Sequence, residues 1–441
     1  MASLRVPAIL ALVAACAALP GQALPPAPAA TPDVPPQAAP AGAPADVTTP
    51  PTWSRFRGPD GSGVAAATAI PRSFDAGSGE GIIWRTALPL TGANSPVVWG
   101  DRVFVAGADE TRREVYCLDA ATGRCLWTAA VGPGDDGPPP RLHDMTGYAA
   151  ATGCTDGELV YWVFPTGHLV ALGMDGQTVW SRRFDLTDDI YGHASSLLTH
   201  GDLLYVQMDL GKPDIGKSHL AALNRRTGQT VWDIPRPVQG SWTTPIVIRA
   251  NGREELVTSA KPWVIAYDPP TGRELWRVNC VEGDSAPSPI FANGHVYVAN
   301  VYARLTAIRP GGSGDVTATH VTFSVPGQLP DITSPVSDGL HVYTLSSGGF
   351  LACYDATTGE RLGGRSLGAR FRSSPSLIGG QLVLFTEEGR GLVVLPGPDL
   401  TPVGGGDLGE AIYTSPACAG GRTFIRGSKH LFCLGPASQA P

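Results

Sequence analysis

Charge is scarce in this chain of 441 residues. Asp, Glu, Lys and Arg make up 16% of it, against about 25% in ordinary soluble domains. No Lys/Arg cluster offsets the deficit, and 32 basic against 39 acidic residues leave a formal charge of −7. A surface that neutralises nucleic-acid phosphates is thereby excluded. No apolar run reaches the ~18 residues of a membrane-spanning helix, which excludes a polytopic helical membrane protein. No two of the eight cysteines (16, 117, 125, 154, 280, 353, 418 and 433) are adjacent. A His-Glu-x-x-His pair is also missing. The nine histidines are scattered; His143-Asp144 and His193 fall between repeat units, where a loop role is expected rather than metal ligation. What abounds is glycine and proline, 55 and 41 residues, set among short apolar runs. That combination belongs to turn-rich β structure, and a hydrophobic share of 43% can bury a large core.

The first fifty residues read as address and tether. Met1 to Ala23 has the parts of a secretory signal: Arg5, an apolar stretch from Ile9 to Ala18, and a small-x-small cleavage site at Gly21-Gln22-Ala23. Val13-Ala14-Ala15-Cys16 also resembles the lipobox of bacterial lipoproteins, in which Cys16 is the lipidated residue; both exits stay open. From Leu24 to Pro51 ten prolines stand in 28 residues, so residues 24–52 form a semi-stiff polyproline-like spacer rather than a core. An exported protein of the periplasm or cell envelope is expected, touching membrane only through that anchor.

Behind the spacer the chain repeats. Trp84, Trp127, Trp180, Trp232 and Trp276 lie 43, 53, 52 and 44 residues apart. Several close one phrase, as in Leu118-Asp119-Ala120-Ala121-Thr122-Gly123-Arg124-Cys125-Leu126-Trp127. Tyr354–Leu362 is a copy without the Trp. A second phrase opens each unit: Ser95-Pro96, Thr244-Pro245, Ser288-Pro289, Ser334-Pro335, Ser374-Pro375 and Ser415-Pro416. Between them run alternating segments such as His295-Val296-Tyr297-Val298, the period of half-buried strands. Four short strands per unit is the grammar of a propeller blade, and a lone blade cannot bury both faces. Units starting near Pro96, Ala150, Ser196, Pro245, Pro289, Pro335, Pro375 and Pro416 count to eight. The eighth runs out at Leu431–Leu434 without an outer strand, while Gly81–Arg85 is an outer strand with nothing before it. The expectation over residues 53–436 is therefore an all-β, eight-bladed β-propeller of four-stranded antiparallel blades, its ring closed by Gly81–Arg85 joining the last blade.

The Asp-Ala-x-Thr-Gly-x-x-Leu-Trp phrase resembles the repeat of PQQ-like (quinoprotein-type) propellers, shared by quinone dehydrogenases and the BamB outer-membrane-assembly family. Trp53–Gly61 resembles the head of secreted PQQ-like repeat proteins. The resemblance to BamB implies a monomeric, non-catalytic scaffold that binds an envelope protein in outer-membrane assembly and needs no cofactor. The alternative it implies is a PQQ-dependent oxidoreductase, whose family carries adjacent bridged cysteines and bound Ca²⁺. A polysaccharide-binding propeller is the third reading.

The repeat also sorts the cysteines. Cys117, Cys353 and Cys433 share a slot with Ala171, Ala222, Ala266 and Ala307, so a small buried side chain is wanted there. Cys117 and Cys125 flank the Asp119–Gly123 turn, and a cross-strand disulfide remains open. The residues before each inner strand should rim a central funnel: Asn94, Tyr148, His193, Trp242, Asp284, Asp331, Arg372 and Tyr413. They vary where the core repeats, and mix aromatics with both signs of charge, as binding rims do. No residue is assigned a catalytic or metal-binding role.

Overall fold

A computed structural model describes residues 52–132, 142–186, 189 and 191–436, all within the unit Pro50–Pro441. The leader with Cys16, and the spacer as far as Pro51, lie outside the described residues. Strands dominate; the described helices are one turn of α-helix at Thr317–His320 and a 3-10 turn at Pro213–Ile215.

Four early strands, β1 (Thr52–Trp53), β2 (Val64–Ala65), β3 (Ser73–Asp75) and β4 (Ile82–Ala87), pair only with strands from later sequence. The rest of the chain folds into eight sheets in chain order, most of them four-stranded and antiparallel, an architecture consistent with a β-propeller. The second sheet is representative: Cys154–Thr155, Leu159–Val163, His168–Gly173 and Thr178–Arg183 pair in sequence. Its middle strands are buried almost throughout, because sheets cover both faces. Its outer strand alternates half-buried with exposed residues. In the eighth sheet β4 supplies the fourth strand, antiparallel to His430–Leu434 with Trp84 opposite Cys433. The two ends of the repeat thus share one sheet, and an otherwise open edge is paired.

The recurrent phrase is a joint between sheets. Each Asp bonds the turn that follows it; Asp119 Oδ1 accepts from the N–H groups of Ala121 (3.1 Å) and Thr122 (2.8 Å). The turn glycine takes a positive φ, 72° at Gly123, and its missing side chain admits the outer-strand Trp of the preceding sheet. A Cβ on Gly123 would lie 2.5 Å from the Trp84 ring, and one on Gly228 2.7 Å from Trp180. The indoles then donate to turn carbonyls: Trp84 Nε1 to Ala120 O (3.1 Å), Trp180 Nε1 to Arg225 O (2.9 Å) and Trp232 Nε1 to Pro269 O (3.1 Å). Where the Trp is missing, Gly363 stands opposite Cys353, and Pro398 O of the next sheet occupies the space.

The small-residue slot has a physical partner too. Cys117, Ala171, Ala222, Ala266 and Cys433 each sit directly across from the Trp of the neighbouring strand and are fully buried. Burial pushes the Cys117 thiol up to about 12. The Cys117–Cys125 disulfide does not form: both are free thiols, and a bulge after Cys117 sets Cys125 against Leu118 instead.

Candidate functional site

The Ser/Thr-Pro phrases converge on a circuit of hydrogen bonds. The Ser95 N–H donates to Thr152 Oγ1 (2.9 Å), Thr152 to Ser196 Oγ (3.1 Å), Ser196 to Thr244 Oγ1 (3.1 Å) and Thr244 to Ser288 Oγ (2.9 Å). Ser288 donates to Ser334, Ser334 to Ser374, Ser374 to Ser415, and Ser415 back to Ser95, each at 3.0 Å. All eight residues are buried, and all eight line one cavity of about 300 Å³. Strand alternation brings the residue two positions earlier to the same face. Four of these are Ala93, Ala150, Ala194 and Ala286; the others are Trp242, Ile332, Arg372 and Tyr413, and every one lines the cavity.

The rim expectation divides along this alternation. Trp242, Arg372 and Tyr413 stand in the inward register, and Asp284 and Asp331 reach the cavity from the preceding loops. The other three are not among its lining residues. Asn94, one residue before Ser95, points into the sheet, where its Nδ2 donates to Ala106 O and Ala149 O, both at 2.8 Å. His193 is 3% exposed behind the wall, and burial lowers its imidazole to about 4. Tyr148 packs against the cluster that holds Val97 and Trp162. Phe56, Met145, Tyr191 and Tyr302 line the cavity without having been expected there. Phe56, Met145 and Tyr191 come from segments outside the repeat and Tyr302 from the connection between the paired strands His295–Val298 and Leu305–Ile308; for Phe56 the signal was its place between two arginines in the head.

Each polar wall group is anchored. Trp242 Nε1 donates to Asp189 Oδ1 (3.0 Å) and Gly192 O (3.2 Å), and its ring meets Tyr191 edge-on at 4.9 Å. Burial raises the Asp189 carboxyl to about 6 against those bonds. Arg372 pairs with Glu387 (3.2 Å), donates to Met145 O (3.2 Å) and lies 4.7 Å from the centre of the Tyr413 ring. Asp331 accepts from the Ser347 N–H (3.2 Å) and hydroxyl (2.7 Å). Asp284 accepts from Gln239 Nε2 at 3.1 Å.

The head holds the same phrases by their carbonyls. Arg55 Nη1 donates to Pro245 O (3.0 Å), while Arg57 donates to Pro375 O (2.9 Å) and Pro335 O (2.6 Å). Each of these prolines follows a hydroxyl of the circuit. Both guanidiniums are almost wholly buried, which lowers Arg57 to about 9 and Arg55 to about 10. Gly63 makes room, since a Cβ there would lie 2.5 Å from Arg57 Nη2. Phe56, between the two arginines, lines the cavity.

Among the described residues no cluster of His, Cys, Asp and Glu has the grouping of a metal site. PQQ, the cofactor implied by resemblance to quinone dehydrogenases, carries three carboxylates and calls for free cations. Arg372 is the one cation among the lining residues and already pairs with Glu387, while Asp284 and Asp331 share the cavity. The residues present do not fit that group.

Comparison with known proteins sets this β-sheet architecture among the quinoprotein-like repeat propellers. The family described as outer membrane protein assembly factor BamB matches residues 57–190 and 216–317, more than half of the chain, and the chain belongs to that family. It is 30% identical over 225 residues to the outer membrane protein assembly factor BamB of Alkalilimnicola ehrlichii, covering 50% of this chain and 52% of that protein. It is 25% identical over 292 residues to the tetrathionate hydrolase of Acidithiobacillus ferrooxidans, covering 61% and 53%. The chain thus spans about half the length of these relatives. The crystal structure of BamB from Moraxella catarrhalis aligns with a TM-score of 0.58 at 13% identity, over 82% of this chain and 98% of that one. That likeness establishes a shared fold.

Proposed function

We propose that the eight sheets are the blades of one closed ring latched by β4, and that the ring is an exported, non-catalytic scaffold that binds an envelope protein in outer-membrane protein assembly. Membership of the BamB family carries the functional part. Closure is supported by the hydroxyl circuit, which returns to its starting residue, and by Trp84 of the last sheet seated on the Gly123 turn of the first. Binding at the funnel is supported by wall residues that differ from blade to blade, with Trp242, Tyr413 and Arg372 of the types that anchor interfaces. The leader and Cys16 supply export and, in this reading, a lipid tether to the membrane.

Affinity capture from detergent-solubilised envelopes with the full chain as bait tests this directly. Recovery of an outer-membrane assembly protein, reduced by Trp242→Ala or Arg372→Ala, is the expected result; no envelope protein above a bait-free control would count against it. Titration with PQQ and Ca²⁺ separates the oxidoreductase reading, and no saturable quenching of Trp fluorescence is expected. Cys16→Ala should release the protein into the soluble fraction if the tether is a lipid.

A further inference from the structure

We infer that the cavity is a receptor for an uncharged saccharide. The site requires no partner protein, so this does not rest on the scaffold reading. Its floor is the first observation. Each circuit hydroxyl accepts one backbone N–H, and none of the eight donates its own proton to an acceptor among the described residues. A hydroxyl carries one donor and two lone pairs. Here each keeps the donor and one lone pair, all on one buried, cavity-lining surface. That is a matched partner for a polyol, which both donates and accepts at every carbon.

The wall is the second, independent observation. Asp331 and Asp284 are held in place by Ser347 and Gln239, and each carboxylate keeps lone pairs for further donors. Trp242 has its Nε1 engaged at one edge by Asp189 and Gly192, so what it brings to the cavity is ring surface. Tyr302, 68% exposed, adds a second ring. Aromatic faces beside fixed acceptors suit a pyranose, whose C–H face is apolar and whose rim is hydroxyl. The small side chains of Ala93, Ala150 and Ala194 leave width on one side of the funnel.

Charge decides against the competitors. Two carboxylates repel anionic ligands, and Arg372 is compensated by Glu387. An organic cation would gain from the aromatics and carboxylates, but, bringing few acceptors of its own, it would leave the hydroxyl protons of the floor unspent. A neutral ring satisfies both surfaces.

The test is titration of the purified full chain with maltotriose, cellotriose and chitotriose, with citrate and choline as charged probes, read by Trp fluorescence and calorimetry. Saturable binding of at least one trisaccharide is expected, weakened about tenfold by Trp242→Ala and retained by Trp242→Phe. Asp331→Asn gives a second variant whose thermal midpoint verifies folding and whose affinity should also fall. Failure of all three trisaccharides, or binding of citrate or choline in their place, overturns the proposal. Because no envelope extract is involved, that failure leaves the capture experiment standing.

Discussion

His193 sits behind the funnel wall with burial holding its imidazole neutral, at about 4 instead of 6.5. The unfolded chain binds that proton more readily, so stability present above pH 6.5 is lost as pH falls through about 4. Complete loss would amount to about 3 kcal/mol. Asp189 works in the opposite direction: its carboxyl is raised from 3.8 to about 6, so the folded form holds its proton better and stability declines as pH rises across that window. Urea midpoints at pH 4.5 and 7 should show His193→Leu losing the acid sensitivity and exposing the Asp189 slope; an unaltered pH profile would show that the imidazole is not the group responsible. Arg57 is a different kind of buried group, a cation whose terminal nitrogens donate to carbonyls rather than to a carboxylate. Arg57→Met strands three acceptors while relieving the burial of charge, and a net loss of about 2–3 kcal/mol in urea unfolding is expected.

Among the elements, the turn and outer strand act as one unit across a sheet boundary. Gly123 and Gly409 have nearly the same backbone, φ 72° and 71°, but a Cβ on Gly123 collides with Trp84 and one on Gly409 meets nothing within 4 Å. Gly409→Ala should therefore cost only the left-handed backbone penalty, about 1 kcal/mol, and Gly123→Ala about 2–3 kcal/mol. Thermal unfolding of the two variants checks the difference, and equal losses would mean that the indole contact contributes nothing. Recurrence in the sequence was enough to find the Gly and Trp of each phrase. It could not say that Trp84, Trp127, Trp180 and Trp232 reach the glycine of the following unit while Trp276 bonds Glu255 of its own sheet, because a repeat displays period and not partner. The same limit shifted the rim: Asn94 and Tyr413 both precede the inner strand, but only the count back from Ser95 and Ser415 shows that Asn94 is out of phase with the cavity.

At the scale of the molecule, the head and β4 bind the ends of the chain to its middle. Trp53 pairs with the first sheet, Arg55 reaches Pro245, Arg57 reaches Pro335 and Pro375, and β4 completes the eighth sheet. A chain beginning at Leu88 would lack all of these and leave His430–Leu434 as an unpaired edge. Concentration-dependent association in size-exclusion chromatography is the expected outcome, and a monodisperse, equally stable truncation would remove the latch from the account.

The all-β architecture, the joint phrase and the small-residue slot were legible in residue order alone, because each rests on local periods of two and on spacing between copies. The cavity was settled only in three dimensions. Which side chains face it depends on the phase of each inner strand, and the arginines of the head find their carbonyls across 190 to 318 residues of chain. No local pattern encodes contacts of that span; they exist once the sheets have brought the carbonyls together.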